Sequence, residues 1–179
     1  MAPIATTLIK VTFTATLDNY NTSLWSFHIK VPAAIAQAFL SDGSRRVVCR
    51  LNDRLEFQCA LMPNGADEFF ILVNKKIRDT LQLKLDNRVE VSLRKDESEY
   101  GLPMPEEFKV LLDLDPEGDE VFHGLTPGKQ RTLLHIVGTV KNTDLRIAKG
   151  LVILEHLKKN DGQINFKQLG LDLKNNKFR

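Results

Sequence analysis

Five basic residues fall in two short clusters, Arg45-Arg46 and Lys75-Lys76 with Arg78, and they are the side chains of this 179-residue sequence best suited to recognition. Arginine and lysine neutralise phosphates, so two such clusters on one rim would hold a nucleic acid. A solvated rim that keeps the fold soluble is the plainer alternative, because no stacking aromatics accompany the arginines in the sequence. Trp25, the single tryptophan, and Phe27 either line a small-molecule pocket or fill the end of a core. Catalysis has no constellation. His28, His123, His135 and His156 show no ligand spacing, with His28 expected on the solvent face of a strand, and no Gly-x-Ser-x-Gly, P-loop or dinucleotide fingerprint occurs. Cys49 and Cys59 are too few for a disulfide framework or a closed zinc site and read as buried free thiols. Asp113 to Asp119 imitates the start of a calcium loop, but Glu120 stands where a hydrophobic residue belongs and Gly124 where the bidentate glutamate belongs. Asp115 reads better as a helix N-cap with Pro116 at the first helical position. No metal and no cofactor is expected, and the chain reads as non-enzymatic.

The elements that position these residues follow from an internal repeat. Shifted by 42 residues, Phe27 to Leu51 falls on Phe69 to Leu93 without a gap, and seven of the 25 positions are identical. They are Phe27/Phe69, Ile29/Ile71, Val31/Val73, Ile35/Ile77, Arg46/Arg88, Val47/Val89 and Leu51/Leu93. Phe13, Ala15 and Leu17 alternate with polar residues in phase with Leu55, Phe57 and Cys59, so the unit is a strand, strand, helix, strand module used twice. Such a repeat implies that neither copy buries its apolar face alone. Between the copies, a three-residue loop Asn52-Asp53-Arg54 pairs Leu51 with Leu55, Cys49 with Phe57 and Val47 with Cys59, which keeps apolar side chains on one face.

Beyond residue 95 the period changes from two to 3.6. Short acidic-headed helices are expected at 105–112 and 116–122. A third helix is expected from Pro127, with Leu133, Ile136, Val137 and Val140 on one stripe. The longest, 142–158, is expected to turn Leu145, Ala148, Leu151, Val152 and Leu154 inward, and a polar tail follows with Phe166, Leu169 and Leu171 set against the body. The organisation is therefore α+β, with a barrel domain over 5–95, a linker over 96–104 and a helical segment over 105–179. The net charge of +2 conceals a division: residues 1–95 carry 13 Lys/Arg against 9 Asp/Glu, residues 96–125 carry 1 against 10, and residues 126–179 carry 11 against 4. Either basic part is suited to a polyanion, and the acidic segment equally suits docking on the basic helices. With no apolar run near 18 residues and no charged leader, neither a membrane span nor a signal peptide is visible, so a cytosolic location is expected.

The run from Val73 through Ile77, Arg78 and Leu81 to Leu83, followed by Arg88 to Val91, resembles the AbrB-type swapped-hairpin pattern. Pro32 keeps that pattern's proline in the first copy only, and Gln82 and Asp86 replace its glycines. The resemblance implies a pseudo-two-fold double-split β-barrel of six strands, and nucleic-acid binding as one reading of function. The whole chain is also similar to the bacterial YdeI or OmpD-associated proteins, through Trp25 with Ile29 to Pro32, Lys75, Ile77 and Arg78, Val89 to Leu93 with Asp96, Pro103 to Pro105, Leu125 to Arg131, and Lys141 to Asp144 with Arg146 and Ile147. That resemblance implies a small β-barrel followed by a helical segment. The function expected is a non-enzymatic binding or interaction protein, with nucleic acid or a small molecule as alternative partners. Because both half-barrels lie in one chain, a monomer is expected.

Overall fold

The computed structural model describes residues 10–21, 27–41, 43–65 and 67–175. They form a mixed α+β protein of two compact units that divide between Glu97 and Ser98. No helix of the described residues is long and apolar enough to cross a membrane.

The first unit holds seven strands, β1 (Lys10–Asn19), β2 (Phe27–Val31), β3 (Arg46–Leu51), β4 (Leu55–Ala60), β5 (Met62–Pro63), β6 (Phe69–Leu72) and β7 (Arg88–Lys95), with helices α1 (Ala33–Leu40) and α2 (Lys75–Leu81). Alternation explains β1, where Thr12, Thr14 and Thr16 face outward while Val11, Phe13, Ala15 and Leu17 pack on the core. The antiparallel sheet runs in the order β4-β3-β7-β1-β2-β6-β5. Its two ends are neighbours in sequence. β4 and β5 are separated by Leu61 alone, a fully buried residue whose N–H donates to the Arg45 carbonyl at 2.8 Å. The chain breaks at Leu61 because it leaves β3 there and takes up β6 as its partner.

The loop 52–54 has the expected register, Leu51 facing Leu55, Cys49 facing Phe57 and Val47 facing Cys59. Asn52 and Asp53 both take φ 51°, the left-handed turn that asparagine and aspartate tolerate. Between β2 and β6, Ile29 faces Ile71, and the flanking pairs His28 with Leu72 and Lys30 with Phe70 exchange when either strand is shifted by 42 residues. Between β3 and β7, Arg50 faces Ser92, and Cys49–Leu93 and Leu51–Val91 exchange in the same way. Burial follows suit: Val31 and Val73, Val47 and Val89, and Leu51 and Leu93 are all in the core.

His28 corrects an expectation. It lies on the outward parity of β2 yet is fully buried, because Tyr20 stacks on its ring at 3.6 Å between centroids and Phe70 meets it edge-on at 5.6 Å. Aromatic neighbours, which alternation does not encode, cover that face.

The second unit contains α3 (Glu106–Leu114), α4 (Pro116–His123), α5 (Pro127–Gly138), α6 (Thr143–Lys159) and α7 (Phe166–Lys174) around Phe108, Phe122, Leu133, Leu134, Ile153 and Leu157. The inward face of α6 contains Ala148, Val152 and Leu154 as expected; Leu145 is instead 38% exposed, and Ile153 and Leu157 join the buried side. Gly150 is buried on the same helix. A Cβ there would lie 2.5 Å from Leu111 Cδ1 and 3.1 Å from Phe108 Cδ2, so the glycine marks where α3 lies closest. The expected polar tail is instead α7, capped by the Asn165 side chain, which accepts the Gln168 N–H at 3.0 Å.

Candidate functional site

In the first unit, the end of β2 nearest α2 gathers two sets of candidate residues that the sequence offered separately. The Phe27 carbonyl accepts the Val73 N–H at 3.0 Å, which fixes Phe27 beside the residue that leads into α2. Asn74 then caps that helix, its side chain accepting the Ile77 N–H at 3.0 Å. One turn on, Arg78 places its guanidinium carbon 3.7 Å from the centroid of the Phe27 ring, a cation–π contact. Lys75 and Lys76, on the same helix, are exposed. The expectation that no aromatic accompanies these cations is thus corrected: Phe27 is far from Arg78 in sequence, and only the β2–β6 pairing brings them together.

Tyr20 follows β1 and completes a Tyr20–His28–Phe70 cluster, with Phe70 also edge-on to Tyr20 at 5.5 Å. The Tyr20 hydroxyl and Arg78 Nε are buried, and neither has a hydrogen-bond partner among the described residues. Trp25, the other pocket candidate, lies outside the described residues. Arg45, immediately before β3, is exposed. Arg46 contributes to the fold, 3.8 Å from the buried carboxylate of Asp96, to which Gln58 also donates at 3.3 Å.

The helical unit contains polar arrangements that sequence reasoning missed. His123 Nδ1 lies 3.0 Å from Asp119 Oδ1 and Nε2 lies 2.8 Å from the Tyr100 hydroxyl, a carboxylate–imidazole–phenol chain. Its legible half was the four-residue spacing of Asp119 and His123 on one helix face. Burial and the neighbouring Glu99 push the Tyr100 phenol up to about 12, so it keeps its proton and serves as a hydrogen-bonding group. His156 is buried, with Nδ1 3.1 Å from Asp172 Oδ2 and Nε2 accepting the Asn165 N–H at 3.3 Å. Those two bonds place the proton on Nδ1 and pin both ends of α7, a structural task. Asp115 is the N-cap of α4, accepting the Gly118 N–H at 3.0 Å, and pairs with Lys158 at 2.6 Å. The acidic run therefore starts a helix. Among the described residues, no cluster of three or more histidine, cysteine, aspartate or glutamate side chains is placed to hold a metal ion.

No curated protein and no solved structure matches the chain. Residues 13–93 match a family described only as a domain of unknown function, DUF1905, and residues 102–160 match the family described as bacteriocin-protection, YdeI or OmpD-associated. Segment by segment, the β unit is thus similar to the first family and the helical unit to the YdeI or OmpD-associated one.

Proposed function

We propose that this is a non-enzymatic binding protein of the bacterial cytosol that takes a nucleic acid strand at the rim formed by Phe27, Lys75, Lys76 and Arg78. The observation that carries this reading is the guanidinium of Arg78 held 3.7 Å over the Phe27 ring, on a helix whose lysines are exposed. Ring and cation together offer what single strands use, charge for the phosphates and flat surfaces for the bases. Two free cysteines accord with a reducing compartment.

The scaffold in this reading is a pseudo-two-fold double-split barrel made by tandem duplication. It is supported by the symmetric registers around Ile29–Ile71 and Arg50–Ser92, and by the continuity of β4 and β5, which lets the sheet close through its own chain. Closure removes the sheet edges and the need for a swapped partner, so the protein is a monomer. Light scattering that returned an obligate dimer would overturn that part.

The test of binding is fluorescence anisotropy with labelled single-stranded and duplex oligonucleotides across a salt series. Affinity should fall by orders of magnitude between low and physiological salt. A Lys75→Glu, Lys76→Glu double variant should lose binding and keep its melting temperature, because both side chains are exposed. Absence of binding to either oligonucleotide at low salt removes the reading. The Tyr20–His28–Phe70 cluster favours a second one, a small aromatic ligand packed against the partly exposed Tyr20, and thermal shift against nucleosides separates the two.

A further inference from the structure

Within the helical unit, the extended segment that leads into α3 faces the C-terminal end of α5 across a groove of about 280 Å³. The volume is close to the lower bound of small-molecule sites, roughly 300 Å³. Leu102, Pro103, Met104 and Leu134 supply apolar walls. Gly138 leaves its floor low, since a Cβ at that position would already reach Pro105 Cγ at 3.6 Å.

Arg146 is the one permanently charged side chain of this lining, and it is held in place. Its Nε donates to the Val140 carbonyl at 2.5 Å, and Nη1 donates to Glu107 Oε1 at 3.0 Å and Oε2 at 3.3 Å. Nη2 takes part in no hydrogen bond among the described residues. The local charge decides what this donor accepts. The Glu107 carboxyl is held below its usual range by its own backbone N–H and by Arg146, so it stays ionised and balances the guanidinium. The C-terminal end of α5, at Gly138 and Thr139, adds the negative pole of a helix. An anion therefore meets a site that is neutral to slightly negative, whereas an uncharged oxygen still gains a directed N–H bond.

We propose that this groove binds a small uncharged ligand, an apolar body carrying an amide or ketone carbonyl whose oxygen accepts from Arg146 Nη2. Recognition is by shape and one hydrogen bond: an anion gains nothing from the charge of the site, and an ammonium has no acceptor to offer Arg146.

The test is a titration of the ¹⁵N-labelled full chain with hexanamide, hexanoate and hexylamine, which share an apolar body and differ in charge. Hexanamide should shift the amides of Leu134, Gly138 and Thr139 and the Arg146 side-chain resonance saturably, in the millimolar range expected of a fragment. Hexanoate should bind several-fold more weakly, and hexylamine should give no saturable shift. Gly138→Leu, which fills the floor, or Thr139→Trp, which fills the exposed rim should the first fail to fold, should abolish the hexanamide shifts while the rest of the spectrum persists. Absence of saturable shifts, hexanoate binding as tightly as hexanamide, or a filled groove that binds unchanged would each overturn the proposal.

Discussion

Ile29 and Ile71 lie directly opposite each other across β2 and β6, 42 residues apart in the chain, and both are fully buried. If the unit is a duplication, this pair sits on its pseudo-axis, and each isoleucine meets nearly the same surroundings. Ile29→Ala and Ile71→Ala should then cost similar amounts, within about 2–5 kcal/mol each, the range for truncating a buried isoleucine. Because the side chains share one site, the double variant should depart from additivity. Urea titrations of both single variants and the double variant decide the matter, and strongly unequal single costs would count against equivalence.

Gln82 and Asp86 stand where the resembled hairpin pattern has glycines, and both have left-handed backbones, φ 54° and 66°. Gln82 closes α2, its N–H donating to the carbonyls of Arg78 and Asp79. A side chain in this conformation costs free energy that glycine avoids. Gln82→Gly should therefore raise stability by about 0.5–1 kcal/mol despite the added freedom of the unfolded chain. A lower denaturation midpoint for Gln82→Gly would show that its side chain makes compensating contacts.

What the sequence disclosed was local periodicity and parity. The loop 52–54 was legible because any other register would turn Cys49 and Val47 off the apolar face. The Asp115 cap, and Pro116 and Pro127 at helix starts, are likewise local signals. What stayed hidden depends on distant partners. Phe27 meets Arg78 only through strand pairing, and His28 is covered by Tyr20 and Phe70. In α6 the apolar period disclosed Ala148, Val152 and Leu154, whereas the close approach of Leu111 and Phe108 to Gly150 is a contact that no pattern within α6 reveals.

Asp115 joins two helices, capping α4 and pairing with Lys158 of α6. The Lys158 ammonium, followed by the Gly118 N–H, holds its carboxyl below the usual range. A depressed folded-state value means the stabilisation is complete above the unfolded value of about 3.9 and is lost as pH falls through the folded one. Asp115→Ala should cost about 1 kcal/mol at neutral pH, the ordinary worth of an N-cap. The gap between the two proteins should narrow in acid, as protonation removes the charge from the unsubstituted chain. Urea midpoints that keep the same gap down to about pH 2.5 would show that the charge contributes nothing.

Cys49 and Cys59 lie on neighbouring strands but in diagonal positions, Cys49 opposite Phe57 and Cys59 opposite Val47. Diagonal Cα atoms are about 7–8 Å apart, at or beyond the reach of a disulfide. The Cys49 thiol shares a hydrogen bond with Cys59 and is buried; both effects push its ionisation well above the usual range. Since the thiolate is the reactive form, Cys49 should be inert in the native protein. Alkylation with iodoacetamide followed by peptide mapping should label the half-exposed Cys59 first. Cys49 should follow only at the rate of global unfolding, accelerating with urea in step with the unfolding arm. Labelling of Cys49 at a rate that urea does not change would mean that β3 opens locally, and the β3–β7 pairing in which Cys49 faces Leu93 would then be weaker than its complete burial implies.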